Sequence, residues 1–217
     1  MKAIEIAKKD IFIEFRSKNT LNLMVLFSLV ASMMFSVSVP VSVANDVAPA
    51  LLWLIFIFVG MLGYARAFIR EVELETLDGL RISPVNPASI VVGKILYNLT
   101  LMLITEAIVL PIFMGVFDLS IARLDAFIAA ITLGNVAFVI ATSSLAILVI
   151  KSRSRELLLP VIIFPVVFPI ISSTILALNL AMQGDVSEIG QPISVITSFS
   201  VVALVVAMLT SEYAFTE

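Results

Sequence analysis

The sequence predicts an all-α integral membrane protein: six transmembrane helices preceded by an amphipathic helix. Three observations lead there. Hydrophobic residues make up 61% of the chain and charged residues 13%, against roughly 25% charge in soluble domains. The apolar residues fall into six runs, at 21–43, 48–69, 90–117, 124–150, 157–182 and 192–209. Each is near or above the ~20 residues that cross ~30 Å of hydrocarbon at ~1.5 Å per residue. The third observation is the one-sided charge. With six spans, twelve of the 13 basic residues share one face: Lys2, Lys8, Lys9, Arg16, Lys18, Arg66, Arg70, Arg81, Lys94, Lys151, Arg153 and Arg155. The other face carries Arg123 beside Asp46, Asp118, Asp125, Asp185 and Glu188. The positive-inside rule makes the basic face cytoplasmic, with both termini on it. The expected location is the inner (plasma) membrane, multi-pass.

Residues 1–20 read as an interfacial helix and 21–217 as the transmembrane domain. In the first segment Ile4, Ala7, Ile11 and Phe15 fall close to one stripe, with Lys2, Glu5, Lys8, Lys9, Glu14 and Lys18 mostly elsewhere. Such a helix lies in the headgroup zone with its basic residues near anionic lipid. It serves either as a topogenic anchor or as an elbow framing a transport domain. The first apolar run follows about twenty polar-rich residues and is too long for a signal h-region, so no cleavable leader is expected.

The second span, led by Pro49 and Trp53, runs out through Arg66 and Arg70 into a charged stretch from Glu71 to Asp78. That stretch is too polar for lipid but keeps Leu74 and Leu77 three apart, and Gly79 is a plausible C-cap. Asn86 as N-cap with Pro87 at the first helical position then starts the third span. The segment near 71–86 is either a solvated connector or a helix that offers its apolar stripe to a groove in a cytosolic protein.

The third span holds Glu106 five residues before Pro111. A carboxylate there costs roughly 2.5–3.5 kcal/mol on insertion scales, so it should face protein or water. The alternatives are a protonated Glu bonded to a neighbouring helix, a Glu hydrated near the outer interface, or a part of a translocation path or subunit contact. The fifth span carries Pro160, Pro165 and Pro169, followed by Ser172, Ser173 and Thr174. Three prolines in ten residues predict a bent or broken segment with a short helix turning back in the outer leaflet, the hydroxyls helping to satisfy freed carbonyls.

Composition also removes whole classes of chemistry. The chain has no Cys and no His, so thiol chemistry, His-based zinc sites, Ser-His dyads and His-ligated haem are out of reach. Gly93-Lys94 is followed by Ile95, and position 88 is Ala, so there is no Walker A cradle. The chain is therefore expected to have no enzymatic activity, no cofactor or metal of its own and no nucleic-acid partner. It is most simply one subunit of a machine powered elsewhere. The two spanning halves show no matching repeat, unlike inverted-repeat secondary transporters.

Several stretches in order resemble the CcmB family, the membrane permease subunit of the ABC-type haem exporter of cytochrome c maturation. They are Ala48 to Trp53, Ala65 to Glu71, Thr76 to Leu80, Ser83 to Pro87 with Gly93-Lys94, Glu106 with Leu110-Pro111, and Lys151 to Arg155 with the prolines of the fifth span. The likeness runs from about residue 45 to 180; the ends agree only in hydropathy. It implies an ABC-2-like exporter domain used as a homodimer, a CcmA-type ATPase that consumes the ATP, and membrane partners of the CcmC and CcmD types, in a machine that supports haem delivery; it leaves open whether haem itself is cargo of this subunit. Under this likeness Glu71, Leu74, Leu77, Asp78 and Leu80 form the ATPase-coupling helix, Arg153 and Arg155 a second cytoplasmic contact, and Glu106 with Pro111 an intramembrane functional candidate. An exporter subunit for another amphiphile, such as a lipid or drug, is the first rival. A membrane scaffold that transports nothing is the second.

Overall fold

A computed structural model of the chain describes residues 2–73, 85–149, 155–185 and 187–216. Seven α-helices follow one another: α1 (Lys2–Ser17), α2 (Asn19–Ser38), α3 (Ala44–Glu73), α4 (Pro87–Phe117), α5 (Leu124–Val149), α6 (Arg155–Gln183) and α7 (Gly190–Thr216). One 3-10 turn, Val41–Val43, leads into α3, and the described residues contain no strand. Six of the helices, α2 to α7, are long and apolar enough to cross a membrane.

Their limits follow local chemistry. The Asn86 side chain accepts a hydrogen bond from the Ala88 N–H at 2.9 Å, and Pro87 occupies the first helical position, as the sequence predicts. At the other end of α4, Asp118 turns left-handed with φ +48° and stops the helix. Gly184, at φ +85°, closes α6, a conformation open to glycine at no steric cost.

The fifth span is not broken: helix α6 is continuous from Arg155 to Gln183 through all three prolines, and no short helix turns back among the described residues. The hydroxyls do not repair the proline sites. Ser172 donates to the Pro169 carbonyl and Thr174 to the Ile170 carbonyl, whereas Pro165 and Pro169 free the carbonyls four residues before them. The prolines are tolerated because α6 packs on α3, α5 and α7, so the helix loses isolated hydrogen bonds but keeps its neighbours.

Helix α5 is central and touches α3, α4, α6 and α7. Its Gly134 lets three helices meet. A methyl group there would stand 2.5 Å from Thr174 Cγ2 on α6 and 2.7 Å from Trp53 Cζ2 on α3. Trp53, Phe56 and Phe138 fill the space beside it, with the Trp53 and Phe138 rings 5.9 Å apart. Small residues at such crossings are how membrane helices gain packing when hydrophobicity no longer drives association. At the outside of the bundle, α2 and α7 leave rows of apolar residues exposed, including Leu26, Met33, Val201, Val205 and Leu209. On a chain of this kind these are lipid-facing surfaces.

The loops collect at two ends. At one end, Ser120 N–H donates to Asn45, and the N–H groups of Ala122 and Arg123 donate to the Met182 and Ala181 carbonyls. The loops before α3, after α4 and after α6 thus lie together, as six antiparallel spans require. Arg123 and Asp125 form a two-pronged ion pair there, 2.8 and 3.0 Å. The hydrogen bonds to Asp125 hold the Arg123 guanidinium above its usual range. Both side chains are exposed, so this pair contributes little to stability.

Candidate functional site

At the opposite end, α1 is not free on a lipid surface. It docks along the start of α4. Gly93 makes the approach possible, since a methyl group there would lie 2.9 Å from Ile6 Cβ and 3.0 Å from the Ala3 carbonyl. Beside it, Lys94 is 2% exposed and pairs with Asp10 of α1 at 2.8 Å. Gly93-Lys94, which no phosphate loop explains, is therefore an interhelical joint. The glycine removes bulk and the lysine supplies a charge for an acid on the docked helix.

The turn between α1 and α2 is held by Glu14. Lys18 takes a left-handed conformation with φ +55°, which separates α1 from α2 but offers α2 no side-chain cap of its own. The buried Glu14 carboxylate fills that role from the preceding helix. Its Oε1 accepts from the N–H groups of Thr20 at 2.6 Å and Leu21 at 3.0 Å, and its Oε2 accepts from the Tyr97 hydroxyl of α4 at 3.3 Å. A carboxylate at a helix N-terminus satisfies orphan donors and suits the helix dipole. One side chain thus ties α1, α2 and α4 together.

Inside the spans, a polar seam joins α4 to α5. Asn135 Nδ2 donates to Glu106 Oε2 through a short contact, and Thr132 donates to Glu106 Oε1 at 3.5 Å. A second rung lies eight residues away on each helix, where Asn98 Nδ2 donates to Ser143 Oγ at 3.1 Å. At ~1.5 Å per residue the rungs are ~12 Å apart. Asn98, Asn135 and Glu106 are all buried. Glu106 is therefore bonded to a neighbouring helix. Pro111 does not join it. Five residues further on, it lies on the exposed side of α4, and the helix runs through it. The seam is not saturated. Asn98 Oδ1, Asn135 Oδ1 and Trp53 Nε1 are buried without a hydrogen-bond partner among the described residues. The arrangement is a polar clamp between two helices.

Of the coupling candidates, Glu71 falls in the last turn of α3 and Arg155 begins α6. Leu74, Leu77, Asp78, Leu80 and Arg153 lie outside the described residues, as does Gly79. The sequence reading missed Asn98, Asn135 and Ser143 as partners, and missed Asp10 and Lys94 as a pair. The one legible signal was the cost of amides and a carboxylate in apolar runs, which applies to Asn98 and Asn135 as it does to Glu106.

A comparison with curated proteins finds no match. The family model described as CcmB protein matches residues 1–216, so the likeness extends through both ends that motif reading left matched in hydropathy alone. The chain belongs to the CcmB family, the membrane component of a haem-exporting ABC system in cytochrome c maturation.

Proposed function

We propose that this chain couples ATP hydrolysis on a separate CcmA-type subunit to movement of its own transmembrane helices, in a complex that delivers haem for cytochrome c maturation. In this reading the subunit works as a homodimer beside CcmC- and CcmD-type partners in the inner membrane, with both termini cytoplasmic. It binds ATP nowhere and holds no cofactor of its own; haem is cargo of the complex. Residues 71–86 form the contact with the ATPase, with Arg153 and Arg155 as a second contact.

The observation that supports this best is how the proposed coupling segment is anchored. It is bounded by α3, which runs to Glu73, and by the capped start of α4 at Asn86. A push on the segment would reach α4 through a rigid joint. Helix α4 also carries the contacts to α1 and the seam to α5. The unpartnered amide oxygens of Asn98 and Asn135 favour a second packing of α4 on α5, since a buried unsatisfied group costs ~1–3 kcal/mol. Packed interfaces tend to switch between discrete arrangements.

The test is to purify the chain from native membranes and identify what accompanies it by mass spectrometry. An ATPase subunit together with haem-handling membrane proteins is the expected result. Recovery of an ATPase without haem-handling partners would favour an exporter for another amphiphile. Recovery without an ATPase would leave the scaffold.

A further inference from the structure

We infer that the elbow between α1 and α2 is a binding site for an anionic phospholipid, with the phosphate against Lys18 and part of one acyl chain in the cavity beneath it. The cavity has a volume of about 260 Å³ and is lined by Glu14, Phe15, Lys18, Leu21, Asn22 and Leu101. Its wall is mainly apolar, supplied by Phe15, Leu21 and Leu101. The polar groups are those at the point where the chain enters the membrane span.

Three features select this occupant. The first is charge. Glu14 is the one acid in the lining, and its carboxylate is already engaged by two α2 N–H groups and the Tyr97 hydroxyl. The cation at the mouth, Lys18, is exposed and makes no ion pair among the described residues. Its backbone is fixed left-handed, so its position is set by the turn. The second feature is continuity. Asn22 begins a row along α2, Asn22–Leu26–Val30–Met33–Val37, whose spacing keeps it on one side of the helix. All of these residues are exposed, Leu26 at 61% and Met33 at 59%. An acyl chain seated in the cavity would continue along a face that already lies in lipid. The third is size. The cavity falls below the ~300–1,000 Å³ that enclose a drug-sized ligand, so it takes a length of chain and not a whole macrocycle. The site depends on the membrane-spanning arrangement alone and is independent of which molecule the complex transports.

The experiment is native mass spectrometry of the chain purified with its partners, stripped of lipid and then offered phosphatidylglycerol, phosphatidylcholine or inorganic phosphate. One phosphatidylglycerol per chain should be retained in preference to phosphatidylcholine, and phosphate alone should not be held. Lys18→Asn removes the charge but tolerates the left-handed backbone; it should weaken retention about fivefold, the effect of one cation near a headgroup. Asn22→Phe, on an exposed position at the mouth, should also weaken it. Lys8→Asn, at another exposed cation outside the lining, should leave retention unchanged. Equal retention of the two lipids, or an unchanged Lys18→Asn variant, would overturn the site. So would a Lys8→Asn effect as large as that of Lys18→Asn, which would mean diffuse attraction.

Discussion

Glu106 and Asn135 hold α4 and α5 together through one carboxylate–amide contact, joined eight residues away by an amide–hydroxyl bond between Asn98 and Ser143. The two rungs fix the register of an antiparallel pair. A slip by one residue would break both. Hydrophobic contacts cannot specify register so sharply among Leu, Ile and Val side chains of similar size, and in lipid they supply little net attraction.

Replacing Glu106 by Leu should destabilise the chain by ~1–3 kcal/mol, because the Asn135 amide loses its acceptor inside the bundle. Glu106→Gln should cost less, since the Gln side chain retains an acceptor for Asn135 and can donate to the unpartnered Asn135 Oδ1. The Glu106→Leu/Asn135→Leu double variant should recover part of the loss, with a coupling energy of ~0.6–1.7 kcal/mol, the range found for polar pairs in a membrane protein. Equilibrium unfolding in mixed micelles gives all three. A zero coupling energy would reduce the seam to incidental contact.

Glu14→Leu should loosen the start of α2. It removes the acceptor for Thr20 and Leu21, and loss of an N-terminal cap costs ~0.5–2 kcal/mol. Hydrogen exchange at those two amides should quicken while exchange in the centre of α5 stays the same. Exchange unchanged at both positions would show that α2 is held by packing alone.

Gly93→Val should undock α1. The added side chain meets a β-branched residue, Ile6, and a backbone carbonyl, neither of which yields easily. Proteolysis of the first twenty residues in purified protein is the measurement, with a faster cut expected for the variant. Gly115→Ala is the control, because a methyl group there meets nothing. Equal cleavage of Gly93→Val and the parent would mean that the helix-to-helix approach at Gly93 is dispensable.

The spans were legible in the sequence because bilayer thickness imposes a length and composition on every crossing segment, so the runs at 90–117 and 124–150 match α4 and α5 closely. Asn86 and Pro87 were legible because capping is local chemistry. The fate of Pro160, Pro165 and Pro169 was not. Local rules price each proline as an isolated defect, and continuity of α6 depends on what packs around it. Glu106 stood out by its cost, yet its partner lies on another helix at a register that no single-chain periodicity encodes. Lys94 shows the same limit: its place on the basic face is legible, but its 2% exposure reflects an acid 84 residues earlier in the chain.

The orientation of the bundle is open to direct measurement. The chain has no Cys, so single cysteines introduced at Ser83, Ser154 and Ser187 report without background. The basic residues predict that the first two face the cytosol. Ser187 belongs to the loop end that gathers around Arg123 and should label with an impermeant thiol reagent in intact cells, while Ser83 and Ser154 should resist it until the membrane is opened. Labelling at Ser83 from outside would invert the bundle and remove the proposed ATPase contact with it.

Coupling is the prediction on which the proposed mechanism depends most. Leu74, Leu77 and Leu80 are apolar residues in a stretch otherwise rich in charge, and helical spacing would place them on one stripe. Burying a Leu contributes roughly 1.5–3 kcal/mol, enough for an anchor in a groove of the ATPase. Glu71, Glu73, Glu75 and Asp78 would tune orientation and on-rate at the rim. Leu77→Asp should therefore leave membrane abundance unchanged but strip the ATPase from the purified complex, since it buries an unpaired charge at the contact. Cytochrome c maturation in cells carrying the variant should fall in step. Glu75→Gln, a rim change, should retain the ATPase and lose binding rate more than extent. If Leu77→Asp keeps normal abundance, normal ATPase recovery and normal maturation together, residues 71–86 are a solvated connector and the drive to α4 must enter elsewhere.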